Sequence, residues 1–287
     1  MRFLIIVLVT ILSTIHVHAQ AQNDQTRQAR HSRYMENAEV RHLADSITVA
    51  TNDARPLAQA VTALSEEFGW AIDFEDPPYY SKYDLVDDTA PQWRAAHPNT
   101  KGVTVIAGDT FQTQFLKSPD TGTSQAEAER ILDGVVSDYN ASANPGRFTF
   151  PNEGDGRFAI VGTRVKDDNG RDRAVTPILD TPISIQAETR DACTTIEIIL
   201  NALTLKSQIK VAPFMVPQNA LAQSQVKVGG QNIPARVLLL QTLSATKMKL
   251  YWRLYYDHDV KMYGFSLLPL MKANYDASGN RTLDFVR

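Results

Sequence analysis

Two stretches of the chain, residues 46–165 and 183–270, carry the same order of predicted elements: strand, amphipathic helix, strand, strand, second helix and closing hairpin. In each stretch the first helix places apolar residues three and four positions apart, which aligns them on one face. Two units are fewer than the roughly three that a solenoid needs. The repeat therefore predicts an α+β fold of two small tandem domains, each with two helices packed on short mixed sheets. The matching helix residues are Leu57, Ala60, Val61 and Leu64 in the first stretch, and Ile196, Ile199, Leu200 and Leu203 in the second.

The N-terminus has the pattern of a secretory signal peptide. Arg2 precedes an apolar run over residues 3–12, and small residues near Ala19 and Ala21 suit cleavage. An uncleaved anchor is the alternative, but the run is shorter than the roughly 20 residues that cross a bilayer. We expect residues 1–21 to be removed and the mature chain to be soluble in the periplasm or outside the cell, with no membrane span.

The remaining segments divide by composition. Residues 22–45 are polar and predict a flexible leader with a short helix from Met35 to Ala44. Residues 166–182 predict a connecting hairpin that turns at Asp168-Asn169-Gly170, and residues 271–287 a C-terminal tail.

Composition limits the function classes. Lys and Arg number 29 against 32 Asp and Glu, giving a net charge of −3, and no basic run or basic helix face is present. This argues against nucleic-acid partners. Cys193 is the single cysteine, so no intramolecular disulfide forms. Protein, peptide or glycan partners are favoured.

Helix starts and turns are marked locally. Ser124 with Glu127, and Thr194 with Glu197, have the spacing of a capping box, in which each side chain binds a free backbone N–H. A hairpin is predicted over 249–256 and 261–268, with Asp257-His258-Asp259 at its tip. These three residues suggest a divalent ion, but consecutive residues in an extended segment point to opposite sides, so we predict a turn and no metal.

The two stretches differ most at residues 76–109, where the first contains an insertion rich in aromatic and acidic residues. Loops longer than about 12 to 15 residues are commonly functional or disordered. Exposed aromatic residues provide rigid contact area for a partner, although the same residues would also serve to cover the open side of the first domain. The candidate partner-binding residues are Tyr79, Tyr80, Tyr83, Trp93 and Arg94.

Paired carboxylates are the candidate for catalytic chemistry. Glu75 and Asp76, with Asp84, Asp87 and Asp88, include residue types that act as acid and base in glycoside cleavage. Nothing in the sequence indicates that they converge, and the motifs of common hydrolases and phosphate-binding loops are absent. We therefore predict no catalytic residue, no cofactor and no enzyme activity.

Four segments resemble the short N-terminal domain shared by secretins and TonB-dependent receptors: 56–64, 196–203, 209–213 and 231–240. The second stretch matches over residues 183–268, and the first matches less well because of its insertion. The resemblance implies an α+β module of two helices on small sheets that docks other proteins in the periplasm or at the outer membrane. The family pattern consists of core positions, so no functional residue is carried over, and neither are pore formation or transport, because this sequence includes no barrel.

These observations together predict an exported, non-enzymatic interaction or assembly module of the bacterial cell envelope. The expected partners are envelope proteins, including outer-membrane or secretion components, and a second copy joined through sheet edges. The alternative is a protein that binds cell-wall or other glycan ligands, with a hydrolase as the less favoured version.

Overall fold

A computed structural model describes residues 38–286 apart from 123 and 155. The predicted signal peptide and most of the predicted leader lie outside the described residues. The helices are α1 (Pro56–Phe68), α2 (Pro91–Ala96), α3 (Gln125–Ala141), α4 (Ala192–Ser207), α5 (Gln218–Ala222) and α6 (Ala235–Ser244). The strands are β1 (Glu39–His42), β2 (Ser46–Asn52), β3 (Ala71–Glu75), β4 (Leu85–Asp87), β5 (Thr104–Ile106), β6 (Thr110–Leu116), β7 (Arg147–Thr149), β8 (Asn152–Gly154), β9 (Arg157–Lys166), β10 (Asp172–Ala174), β11 (Pro182–Asp191), β12 (Lys210–Met215), β13 (Gln225–Pro234), β14 (Leu250–Asp257), β15 (Met262–Pro269), β16 (Met271–Tyr275) and β17 (Arg281–Phe285).

The chain has an α+β fold, as predicted. The two repeated stretches, residues 46–165 and 183–270, are called here the first and second halves, and they pair their strands in the same way. In the first half β2 pairs antiparallel with β6, while β9 pairs parallel with β3 and antiparallel with β7. In the second half β11 pairs antiparallel with β13, while β15 pairs parallel with β12 and antiparallel with β14. The repeated order read from the sequence therefore corresponds to a repeated pairing.

Each half has its own apolar core. In the first half α1 and α3 bury their apolar faces against Phe74 of β3 and Ile160 of β9. In the second half α4 and α6 pack on Trp252 and Leu254 of β14 and on Phe265 of β15. Complete burial of one such side chain contributes roughly 1.5 to 3 kcal/mol, so the helix faces predicted from periodicity supply much of the stability.

The two halves share one sheet. β3 pairs parallel with β14, with Phe74 opposite Arg253 and Glu75 opposite Leu254. The result is an eight-stranded sheet whose main path runs β10-β9-β3-β14-β15-β12. Because neighbouring side chains on a strand face opposite sides, Phe74 and Leu254 lie on opposite faces of this sheet, and the helices of the two halves cover opposite faces. The separate short sheets of the prediction are thus joined, and the division into two domains stays a prediction.

The capping residues predicted from the sequence agree with only part of the observed helix ends. Gly69 adopts a left-handed φ of 72° and ends α1, as glycine commonly does at a helix C-terminus. The Ser124 side chain caps α3 by accepting the N–H of Glu127, but the Glu127 carboxylate binds Arg130, so only half of that capping box forms. The second predicted box is wrong. Asp191 is the N-cap of α4 and accepts both the backbone N–H and the hydroxyl of Thr194.

Two segments predicted to lack strands are paired. The predicted helix at the end of the leader is wrong over the described residues, because β1 pairs antiparallel with β2. The predicted tail contains a hairpin of β16 and β17, which contacts α1. The hairpins of β9 with β10 and of β14 with β15 are confirmed. Within the described range, no helix is both long and apolar enough to cross a bilayer.

Candidate functional site

The insertion folds against the first half instead of projecting from it. β4 pairs with β5, and α2 lies between these two strands in sequence. Tyr79 is 2% exposed and packs with Ile106 and Val165 in a small apolar cluster. Burial and the nearby Asp76 carboxylate raise the pKa of the Tyr79 hydroxyl well above its usual value. The expectation that Tyr79 offers an exposed contact is therefore wrong, because its ring fills the space beneath the insertion.

Tyr80 and Tyr83 remain on the surface. Tyr80 is 48% exposed and meets the ring of Tyr256 edge to face, at 5.7 Å between centroids. Tyr83 is 52% exposed, lies over Gly170, and has the Lys82 ammonium 5.3 Å from its ring centroid. Both rings keep half of their area available to a partner.

Trp93 and Arg94 stabilise the insertion from within. Trp93 is half-buried and stacks on His97, with 4.6 Å between centroids. Arg94 forms an ion pair with Asp87 and donates to the carbonyl of Thr100 at 2.9 Å. Arg94 thus joins the segments before and after α2 within the insertion, and Trp93 remains partly exposed.

Glu75 and Asp76, which were considered and not predicted as catalytic residues, lie buried between the halves together with Asp73 of β3. Asp73 is fully buried and accepts two hydrogen bonds from Arg157, at 2.8 and 3.0 Å. It also accepts the backbone N–H of Trp252 at 2.7 Å. Arg157 in turn donates to the carbonyl of Leu250 at 2.7 Å. Asp73 thus ties β3 and β9 to β14, and sequence reasoning missed it because its signal is a lone acid inside an apolar strand.

Glu75 and Asp76 form further buried contacts between the two halves. Glu75 forms an ion pair with Arg236 of α6 and accepts the N–H of Leu179 at 3.2 Å. Asp76 accepts Arg55 Nε at 2.6 Å and the N–H of Tyr256 at 3.2 Å. Burial raises the pKa of both carboxyls above their usual values, and the arginines oppose that shift.

The remaining acidic residues do not join them. Asp84 is buried and accepts the backbone N–H of Lys166 at 2.7 Å, while Asp87 is exposed and pairs with Arg94. The carboxylates therefore act as acceptors that fasten neighbouring segments. We name the contacts of Asp73, Glu75 and Asp76 the ionic seam.

We expect a specific pH dependence from Glu75. A carboxyl whose pKa is raised on folding binds its proton more tightly in the folded chain, so its stabilising contribution is present below its usual pKa of 4.5 and is lost as pH rises through the folded value. The difference in free energy of unfolding between wild type and Glu75→Gln should therefore shift against wild type from pH 4.5 upward, measured by urea denaturation.

Glu127 provides a control of opposite sign. Hydrogen bonding from Arg130 lowers the pKa of Glu127 from 4.5 to about 2, so its contribution is present above pH 4.5 and is lost as pH falls toward 2. Glu127→Gln should match wild type in slope above pH 4.5. A Glu75→Gln difference that instead favours wild type as pH rises would mean that Arg236 dominates over burial.

An open cleft of about 620 Å³ lies where β1, α1, β14 and the C-terminal hairpin meet. Its wall includes Tyr255 and Tyr275 together with Glu66 and Glu67. Glu67 is nearly buried and accepts from the Tyr275 hydroxyl at 2.7 Å, and His42 Nε2 lies 2.8 Å from its other oxygen. The cleft combines aromatic rings with acceptor groups, and its parts come from both ends of the described chain.

The strongest exposed apolar feature is the edge of the eight-stranded sheet. β12 is the last strand of the path, and among the described residues it pairs with β15 alone. Phe214 is 85% exposed and Met215 56% exposed, and Leu205 near the end of α4 is 75% exposed. Residues 211–217 carry no charge. We call β12 with Phe214 and Met215 the open edge. The uncharged run is the sequence feature that marks this surface, and it is absent from the predicted site residues.

The acidic turns hold no metal arrangement. Asp257 accepts the backbone N–H groups of Asp259 and Val260, at 2.9 and 3.2 Å, which confirms the predicted turn. Asp167 plays the same part in the turn between β9 and β10, where it accepts from Asn169 and Arg171. Within residues 38–286, apart from 123 and 155, no three His, Cys, Asp or Glu side chains are grouped to hold a metal ion.

Comparisons with known proteins add no relative. No family model matches this chain, and neither the curated proteins nor the solved structures include a match.

Proposed function

We propose that this protein is an exported, non-enzymatic interaction module of the bacterial envelope that docks a protein partner through the open edge. The observation that carries the proposal is the contrast between two equivalent strands. β3 and β12 hold the same position in their halves, and the outer edge of β3 is occupied by β14, whereas no described residue pairs with the outer edge of β12. The strand position that is exposed in β12 therefore binds another strand where it occurs in β3.

The burial pattern supports the same role. A large side chain such as Phe214 that is 85% exposed loses contact with water only when a partner covers it, and clustered exposed apolar groups mark interaction surfaces. Of the residues proposed from the insertion, Tyr80, Tyr83 and Trp93 retain exposed ring area and form a second contact region. Export and envelope location rest on the sequence of residues 1–21.

The proposal is tested by photocrosslinking in the cells that make the protein. A benzophenone amino acid at position 214 should give one discrete adduct, and the captured protein, purified separately, should bind wild type. Phe214→Ser should weaken that binding about tenfold or more, which corresponds to roughly 1.4 kcal/mol, with the melting temperature almost unchanged because the side chain is exposed.

Phe285 offers a matched control, because it is a phenylalanine that is 65% exposed on β17. Phe285→Ser should leave binding of the captured protein unchanged. Equal loss in both variants, or none in Phe214→Ser, would contradict docking at the open edge. If Tyr80→Ala with Tyr83→Ala abolishes binding instead, the insertion is the docking surface.

The glycan-binding alternative has one observation in its favour. The cleft beside Tyr255 and Tyr275 pairs aromatic rings with carboxylates, and rings of this kind stack on sugar faces while acceptors bind hydroxyls. Retention of the purified protein on isolated peptidoglycan, lost in Tyr275→Ala, would favour this function. If the protein is not retained on peptidoglycan, the result contradicts glycan binding and supports docking of a protein partner.

A further inference from the structure

We infer that the open edge binds an extended, uncharged segment of the partner, paired parallel to β12. This inference rests on the proposed docking function and specifies its geometry. The template is inside the molecule, where β14 runs parallel to β3 at the equivalent edge. Parallel strand addition at β12 would repeat the same kind of joint at the end of the sheet, beyond β14 and β15.

The register defines which residues correspond. In β3, Asp73 lies opposite Ala159 and Glu75 opposite Val161 of β9. In β12, Ala212 lies opposite Gly264 and Met215 opposite Ser266 of β15. When the first pairs of the two joints are aligned, Ala71 with Arg157 and Lys210 with Met262, Ala212 takes the place of Asp73 and Met215 takes the place of Glu75.

The replacement of two carboxylates by Ala212 and Met215 determines which kind of strand the open edge can bind. At β3 Asp73 accepts the N–H of Trp252 and binds Arg157, and Glu75 binds Arg236, so the joint contains buried charged groups. Ala212 and Met215 have no charge to offer, and a charged group brought against them would lose its water without gaining a partner. An uncharged segment with apolar side chains meets no such penalty.

The pairing of β12 with β15 contains a register shift that leaves one residue of β12 without a partner residue on β15. Phe214 is the additional residue between the pairs formed by Pro213 and Met215, and such a bulge re-aims a side chain. The Phe214 side chain lies beside Gly264, where a Cβ would be 3.8 Å from it. Gly264 belongs to β15, so the Phe214 Cβ lies on the β15 side of β12, and its 85% exposed ring is available to a partner on that face of the sheet.

Two features of β12 limit the length of pairing. Pro213 lacks a backbone donor, and Lys210 places a charge at the start of the strand, both of which discourage indiscriminate strand addition. The joint between β3 and β14 is itself short, with two residue pairs in register. A short segment fixed by apolar side chains is thus consistent with the precedent.

A second copy of this chain is a weaker occupant. The edge equivalent to β14 in the first half is made of β7 and β8, two strands of three residues separated by Pro151. That edge lacks the length of β14, which has eight residues. Self-association is therefore an outcome that the test must detect.

The test uses a synthetic probe and the purified mature protein. The probe is acetyl-Ser-Val-Thr-Val-Thr-Val-Ser-amide, and its partner has Lys in place of the central Val. We expect the uncharged peptide to shift the backbone amide signals of Lys210, Val211, Ala212, Phe214 and Met215 in NMR titrations, and to bind about tenfold more tightly than the Lys peptide. Methylation of alternate peptide nitrogens should remove the shifts.

Met215→Glu is the decisive variant, because it restores the carboxylate that β3 has at this position. The preference should reverse, with the Lys peptide binding more tightly than the uncharged one. Met215 is exposed, so the variant should fold, and the unchanged amide spectrum of β2 verifies this. Equal binding of both peptides, shifts elsewhere than β12, or concentration-dependent dimerisation in sedimentation without peptide would overturn the inference.

The outcomes separate the two proposals. If the crosslinked partner is lost in Phe214→Ser but no peptide shifts the β12 amides, docking at the open edge stands and strand addition fails. If neither experiment responds to changes at Phe214 or Met215, both fail.

Discussion

Replacement of Asp73 by alanine is expected to lower the free energy of unfolding by about 3 to 5 kcal/mol, because it leaves a charged partner buried without its counterion. Asp73 is fully buried, and the Arg157 side chain that binds it is 16% exposed. The substitution also removes the acceptor of the Trp252 backbone N–H, so β3 and β14 lose a direct link. Urea denaturation monitored by tryptophan fluorescence would measure the change.

A surface ion pair provides the control. Glu188 and Arg190 on β11 form an ion pair at 2.7 Å in which the glutamate is 48% exposed. Glu188→Ala should cost less than about 1 kcal/mol, as exposed pairs do. Arg157→Met combined with Asp73→Ala should recover part of the loss, since the double variant leaves no unpaired charge. A cost for Asp73→Ala no larger than that for Glu188→Ala would mean that the seam does not hold the halves together.

Replacement of Tyr79 by alanine is the second large effect, with an expected loss of about 3 to 5 kcal/mol, the range for large aromatic residues removed from a core. The ring is 2% exposed and packs with Ile106 and Val165 under the insertion. Its hydroxyl also lies close to Gly146, which has a left-handed φ of 77°. Thermal denaturation of the purified protein would show the loss directly.

Tyr80 is the matched control, because it is the next residue and has the same side chain but is 48% exposed. Tyr80→Ala should change the free energy of unfolding by no more than about 0.5 to 1 kcal/mol, from the lost edge-to-face contact with Tyr256. Similar melting temperatures for the two variants would show that Tyr79 is not part of the core. In binding assays only Tyr80→Ala is interpretable as a surface change.

Sequence periodicity predicted the elements well where the signal was local. The apolar stripe of α1, its end at Gly69 and the hairpin of β14 with β15 all depend on residues within a few positions of one another. The cap of α4 was misplaced because Asp191 and Thr194 both suit a helix start, and only the backbone geometry at Asp191 decides between them.

Predictions about exposure failed where burial depends on distant residues. Tyr79 and Tyr80 are alike in sequence, and their different burial arises because β9 and β5 close over only one of them. Glu75 and Asp76 looked like free loop acids, whereas their partners Arg236 and Tyr256 lie 161 and 180 positions away. Neither pairing leaves a pattern in the local sequence.

The sequence by itself determined the α+β composition and the repeated order of elements, because helix faces and hairpin turns are set by residues close together in the chain. Only the tertiary structure decided that β3 and β14 share a sheet and that Asp73, Glu75 and Asp76 form hydrogen bonds and ion pairs at that joint. It also decided that β12 has one outer edge unpaired within residues 38–286 apart from 123 and 155. The physical reason is that strand edges carry the same backbone groups everywhere. Which edges meet depends on the buried charges and apolar faces that the whole fold brings together.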